Sequence, residues 1–379
     1  MRAWSILLMA CLLGCEDDPP PPAPEPEPYH GPPERRPLPA RREVATAGAF
    51  DLVVTDAGAL LIYGQPVTAG GVVRALPLTR AGEVAGDEGV VGAPQSAAVD
   101  AVELAAASSS GRVVAAWVWR SAMRRQAVMA MGDDRGSAFS PIEVLGEMRD
   151  VGTTQRGRVA AAGSASGELA VAYRVGEVAC EDGSAARCEG LRIRRVAPAS
   201  NPRSVPLAVP RPCARTWVGF EQVEGTWFYG ACDRDQGTMI YAIQFEPEYA
   251  HVEPHFSNCA PRGLTAFQSG VVALADCDDG PRGLIVPGAF ETRVELLSGR
   301  EVSLACTGEV PTLVVSDARV PLDAPRSGLG LFLPPRIAPE GSRAVWTGEA
   351  ILVAQTSGGE VGLHRWECRD GQLTPTDAD

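Results

Sequence analysis

One phrase recurs along this chain: a glycine, then a run of apolar, β-favouring residues that closes on a small or polar residue. It reads GALLIYG from Gly58, GRVVAAWVW from Gly111, GELAVAYRV from Gly167, GTWFYGAC from Gly225, GVVALADC from Gly270, GEVPTLVVSD from Gly308 and GEAILVAQT from Gly348. Glycine takes positive φ at little steric cost, and Val, Ile, Leu, Tyr and Trp fit the pleat of a sheet. Each phrase therefore predicts the turn of a hairpin and the strand that leaves it. Seven copies at loosely even spacing predict seven copies of one supersecondary unit.

A unit of this size with strands and no helical pattern buries its faces only against its neighbours, and the closed solution is a β-propeller. The 41 Gly and 32 Pro leave little room for helices of ordinary length, which favours an all-β chain of short strands. The predicted fold is a single propeller of seven blades over residues 43–379, stapled by disulfides. The second unit is the plainest, with RVVAAWVW, RQAVMAMG and FSPIEVLGE following its inner strand. The sixth is the least regular, because GEVPTLVVSD runs into a Pro-rich stretch that ends at Pro339. The seventh is expected to pair with a strand from near Glu43, which closes the ring and leaves no free sheet edge.

Ahead of the repeats, Arg2 is followed by AWSILLMACLLG, an apolar stretch too short to span a bilayer, and this reads as an export leader over residues 1–14. It ends in LLGC at Leu12 to Cys15, which resembles the lipobox of bacterial lipoproteins. That resemblance implies cleavage before Cys15, lipidation of its thiol as by palmitate, and attachment to a membrane of the cell envelope, facing the periplasm or the outer surface. Residues 15–42 are dominated by Pro and charge, as in PPPPAPEPEPYHGPPERRPLPARR, and form an extended tether. All 34 basic residues are Arg, and the formal charge is −13. A chain so acidic lacks the basic surface that nucleic acid or anionic lipid requires, so neither is an expected partner.

Ten cysteines are present. Apart from Cys11 in the leader and Cys15, eight remain, an even number in an exported chain, which reads as four disulfides. Cys232 and Cys277 each follow a repeat glycine by seven residues, and Cys213 and Cys259 precede it by a similar distance. Folding each unit about its glycine sets Cys213 against Cys232 and Cys259 against Cys277. Cys180 with Cys188 closes a short loop, and Cys306 with Cys368 follows by elimination.

Candidate chemistry is sparse. No Gly-rich phosphate loop, GxSxG or HExxH occurs. His251, Glu253 and His255 alternate and so share one face of a strand, with ligand types that suit zinc; Pro254 restricts that strand to an edge. A polar sheet edge is the competing reading. The acidic turns DRDQG from Asp233 and DCDDG from Asp276 are Ca²⁺ candidates by composition, but lack a full calcium loop with its terminal Glu. Gly132, Asp134, Gly136 and Phe139 in GDDRGSAF resemble the Asp-box of sialidase-like propellers, where the element is a structural turn. The expected function is that of a membrane-anchored, exported lipoprotein whose propeller binds or scaffolds a protein or glycan ligand. The alternative is a sialidase-like glycoside hydrolase or other propeller enzyme, which calls for an Arg cluster with a Tyr and a Glu. Tyr63, Tyr173, Tyr229 and Tyr241 supply the phenols, but spacing does not gather them.

Overall fold

The computed structural model describes residues 44–45 and 49–376, with breaks at 67–70, 95–99, 121–123, 149–158, 180–186, 198–203, 210–218, 224, 234–236, 246–247, 256–258, 268–269, 278–279, 288–294, 299–301, 316, 335, 340 and 358. The chain divides into residues 1–35 and 36–379, and every described residue belongs to the second unit.

After the two-residue strand β1 (Val44–Ala45), the strands fall into seven antiparallel sheets taken in chain order. Blade one is β2 (Phe50–Thr55), β3 (Gly58–Gly64), β4 (Val73–Leu78) and β5 (Gly89–Gly92). Blade two is β6 (Asp100–Ser109), β7 (Arg112–Arg120), β8 (Arg125–Asp133) and β9 (Glu143–Met148). Blade three is β10 (Val159–Gly163), β11 (Leu169–Ala179), β12 (Arg187–Ala197) and β13 (Ser204–Val209). Blade four is β14 (Gly219–Val223), β15 (Thr226–Asp233), β16 (Gly237–Phe245) and β17 (Glu248–His255). Blade five is β18 (Cys259–Phe267), β19 (Gly270–Cys277), β20 (Gly280–Pro287) and β21 (Glu295–Ser298). Blade six has three strands, β22 (Val302–Thr307), β23 (Val310–Val315) and β24 (Ala318–Pro321). Blade seven is β25 (Arg343–Trp346), β26 (Ile351–Ser357) and β27 (Glu360–Arg369), with β28 (Gln372–Pro375) and β1 both paired to β27. This is the seven-bladed, all-β propeller that the repeats predict.

Each repeat glycine lies at the turn between the first and second strands of its blade, and six of the seven carry positive φ, from 63° at Gly308 to 148° at Gly58. A Cβ at Gly58 would stand 2.2 Å from the Leu78 carbonyl oxygen, so space as well as φ demands glycine there. The strands that leave these turns are apolar on both faces because each blade is sandwiched. Along β3, Leu60 and Ile62 join the core between blades one and two, while Leu61 and Tyr63 join the core between blades seven and one. Along β7, Val113, Ala115 and Trp117 face blade one, while Val114, Ala116 and Val118 face blade three. The period-two alternation of a strand thus feeds two different cores, which is why these segments read as unbroken apolar runs.

The ring closes as expected, with Val44 opposite Val361 and Ala45 opposite Glu360. Blade six departs from the repeat. The Pro-rich segment behind it folds inward to a 3-10 turn at Leu329–Leu331, which packs against both β18 and β25, and Leu304 N of β22 donates to Phe332 O at 3.1 Å. This segment therefore lies inside β22, in the place nearest the axis that a first strand takes elsewhere. On the outer side, β22 packs against β27 and β28, and the Cys306–Cys368 disulfide joins β22 to β27 across a Cα separation of 5.5 Å.

Candidate functional site on the propeller axis

The first strands of the blades ring the axis, and their free backbone edges need partners. Side chains from the neighbouring blade supply several. Asp51 of β2 accepts from Ala106 N of β6 at 2.8 Å and from Leu52 N at 2.9 Å, Ser108 Oγ of β6 donates to Val54 O, and Ser109 Oγ donates to Ser164 O of blade three.

One carboxylate near the axis is bonded to an arginine of another blade, and two more, Glu103 and Glu221, lie within the field of one. Arg343 Nε of β25 donates to Asp51 Oδ1 at 3.1 Å, which bridges blades seven and one. Burial raises the Asp51 carboxyl above its usual range, and Arg343 and the two backbone donors oppose that rise. Glu103 of β6 acts on Arg174 of β11, where burial brings the guanidinium down to about 10 and both Tyr229 and Glu103 work in the opposite direction. Tyr229 of β15 is only 4% exposed, and burial holds its phenol well above the usual value. Glu221 of β14 is the third carboxylate. Desolvation pushes its carboxyl up to about 7, and Arg326 opposes that rise. Arg326 is itself lowered by burial, and Glu221 raises it.

Arg326 belongs to the inward-folded segment, a strap across the axis. Its backbone exchanges two 2.7 Å hydrogen bonds with Trp346 of β25. The next residue, Ser327, accepts at Oγ from Val54 N of β2 at 3.2 Å. The residue after that, Gly328, has φ 80°, and a Cβ there would lie 3.3 Å from Thr265 Oγ1 of β18 and 3.6 Å from Glu221 Oε1 of β14. Three consecutive residues thus touch the innermost strands of blades seven, one, five and four, so the strap fills the axis near the ends of the first strands. Asp51 and Arg343 stand toward the beginnings of β2 and β25.

The sequence-predicted positions are distributed differently. Cys15, Cys180 and Cys213 lie outside the described residues, as do 234–236 and 278–279 of the two acidic turns read as Ca²⁺ candidates. Cys188 and Cys232 fall on β12 and β15, and the register of β18 with β19 sets Cys259 directly opposite Cys277. His251, Glu253 and His255 occupy alternate positions of β17, the edge strand of blade four, and their side chains are outside the description. Among the described residues no group of three His, Cys, Asp or Glu side chains is placed to hold a metal ion. The Asp-box-like stretch forms the turn between β8 and β9: Phe139 packs on Gly132, and Gly136 presses its backbone against Leu60 of blade one. The carboxylate that closes the turn is that of Asp133, accepting from Arg135 N, Ser137 N and Ser137 Oγ. Sequence reading missed the Asp51–Arg343 pair, whose members come from different blades and are 292 positions apart. The available signal was a single acid inside the first strand of a blade, as in FDLVVT and GFEQV.

Fold and axis together define a seven-bladed propeller with the Asp51–Arg343 ion pair joining blades one and seven near its axis. No protein-family model matches the chain, and no curated protein sequence does. Among solved structures it is similar to the Aleuria aurantia lectin in complex with α-methyl-L-fucoside, at 10% identity over 90% of this chain and 97% of that one, with a TM-score of 0.40. It is also similar to Trypanosoma rangeli sialidase in complex with the inhibitor DANA, at 7% identity over 84% of this chain and 54% of that one, TM-score 0.43. A third is the β-propeller domain of the Pyrococcus furiosus trilobed protease, at 10% identity over 74% and 84%, TM-score 0.40. Likenesses this remote assign no chemistry, which has to come from the residues.

Proposed function

We propose that the mature chain is a lipid-anchored protein of the bacterial cell envelope, held by acylated Cys15 and a stiff Pro-rich spacer, whose propeller binds or scaffolds a protein or glycan ligand. The observation that supports the binding reading is that the Asp51–Arg343 pair near the axis is committed to joining blades one and seven. Asp51 is engaged by Arg343 and two backbone N–H groups, and the fields of Arg174 and Arg326 act on Glu103 and Glu221. Groups so engaged order the blades and shape a recessed polar surface. The anchor is tested by fatty-acid labelling and mass spectrometry of the mature N-terminus. Labelling of the wild type and its loss in Cys15→Ala are expected, and an unmodified N-terminus elsewhere overturns the reading. Binding is tested by cross-linking in native membranes, where a partner recovered with the wild type should be lost when the propeller is deleted behind the same anchor.

A glycoside hydrolase is the second reading, because the charges of Arg174 and Glu103 both act on the Tyr229 phenol. Against it, a buried phenol held above its usual pKa is the reverse of an activated nucleophile. Release of a fluorogenic sialoside by the purified protein, lost in Tyr229→Phe, would put this reading in place of the first.

A further inference from the structure

One strand of blade six is held from both sides. At its inner edge, Leu304 N of β22 donates to Phe332 O of the strap at 3.1 Å. Two residues further along, Cys306 is bonded to Cys368 of β27 in the next blade. Residues two apart share a face of a strand. On that face Leu304 packs against the core that joins blades five, six and seven, which the strap fills with Leu329, Phe332 and Leu333. Trp366, two residues before Cys368 on β27, packs against the same core. The disulfide therefore closes from outside what the strap fills from inside. Cys259 and Cys277, by contrast, face each other within blade five, where a bond between them would only repeat the ladder. Access to the inter-blade bond is unequal: Cys368 is 6% exposed, whereas Cys306 is half-buried and no side chain of its strand is fully buried.

We propose that Cys306–Cys368 is a redox latch on the strap. A thiolate of an incoming dithiol reductant attacks Sγ of Cys306, the S–S bond breaks and Cys368 leaves as the thiolate; the second thiolate of the reductant then attacks the mixed disulfide and displaces Cys306. Two electrons pass from the dithiol, which leaves as its own disulfide, and the two protein thiolates take up the protons it gave up. Once the bond is cut, β22 keeps its pairing with β23 and loses its tie to blade seven. The strap then rests on a few hydrogen bonds, with Leu304 N, Val54 N and the Trp346 backbone, and on a core whose outer seam has opened. Segments held so sparsely open locally at low free-energy cost. The axis is closed in the oxidised protein and opens in the reduced one, whether or not the propeller binds a ligand.

Full-length mature wild type is treated with dithiothreitol without denaturant, and alkylation mapping and hydrogen exchange are read together. Cys306 and Cys368 should be alkylated, and the amides of 326–333 should exchange on the order of tenfold faster while β6–β8 stay unchanged. Reoxidation with glutathione disulfide should restore the slow exchange. Cys306→Ser/Cys368→Ser should show the fast exchange without reductant and no further change with it, which excludes the other cysteines as the cause. Cysteines that resist alkylation until denaturant is added, strap exchange that ignores the reduction, a rise spread equally over β6–β8, or a further response of the variant to reductant would each overturn the proposal. If the double variant does not fold, the wild-type map decides alone: faster strap exchange that tracks alkylation of Cys306 and Cys368 supports the latch, and exchange that tracks any other cysteine overturns it.

Discussion

Blade two and blade six obey the same repeat and solve the packing problem in different ways. Blade two spends nine or ten residues on each of β6, β7 and β8 and lets successive side chains of β7 enter two separate cores, so its own sequence holds it. Blade six has strands of six, six and four residues, and the side chains of β22 are at most half-buried. Its inner position is filled by the strap, its outer side by the β27–β28 hairpin, and the Cys306–Cys368 disulfide ties it to blade seven. The contrast teaches that a short, proline-interrupted unit keeps its place in a ring when elements from outside the repeat complete it.

The largest expected effect therefore belongs to the disulfide. Its cysteines are 62 positions apart, and chain-entropy reckoning for such a loop gives about 4 kcal/mol. Cys306→Ser/Cys368→Ser should lower stability by that order in denaturant melts and expose the 299–323 region to protease first. A uniform loss of protection over all blades would break the distinction between self-held and externally held units. A cavity in a regular blade comes next. Leu60 is fully buried between blades one and two, and Leu60→Ala should cost about 3 kcal/mol. Hydrogen exchange should rise mainly in β2–β8 and leave blade six unchanged.

The axis gives a smaller effect with a definite sign. The Glu221 carboxyl is pushed up to about 7 from 4.5, so the folded state holds its proton more tightly than the unfolded chain. Its contribution to stability is present at low pH and is lost as pH rises from about 4.5 through about 7. Glu221→Gln keeps the neutral shape, so it should match wild type at pH 4 and exceed it at pH 8 by on the order of 1–2 kcal/mol, after allowance for screening in a partly accessible site. A variant advantage that shrinks with pH would show that the Arg326 field outweighs desolvation at this site.

The regular blades were legible in the sequence because their demands are local. A glycine is needed where φ is positive, and both faces of the next strand are buried, so Gly111 with its Val, Ala and Trp run announces its own place. The strap was not legible. Pro325, Gly328 and Pro334 read as a break in the repeat, and nothing near them in sequence names Val54, Thr265 or Glu221 as neighbours. Arg343 and Asp51 are hidden in the same way, since ring closure brings the two ends of the propeller together and leaves no short-range signal.

The smallest effect tests the one turn whose fold was read correctly and whose key carboxylate was not. The Asp-box resemblance assigns Asp134, yet in the turn between β8 and β9 Asp133 Oδ1 accepts from Ser137 N at 3.0 Å and Arg135 N at 3.2 Å, and Oδ2 accepts from Ser137 Oγ at 2.7 Å. These bonds to the charged form hold the Asp133 carboxyl below its usual range. Asp133→Ala should then cost about 1 kcal/mol at neutral pH, as loss of comparable side-chain caps does, and Asp134→Ala should cost close to nothing. The sign with pH is opposite to that at Glu221. The stabilisation from Asp133 is complete above the unfolded carboxyl's pKa and disappears as pH falls through the lower folded value, so wild type and Asp133→Ala should converge in acid. Because Gly136 of this turn presses on Leu60, the loss should appear as faster exchange in blade one as well as blade two. A larger loss in Asp134→Ala than in Asp133→Ala would restore the register that the resemblance implies.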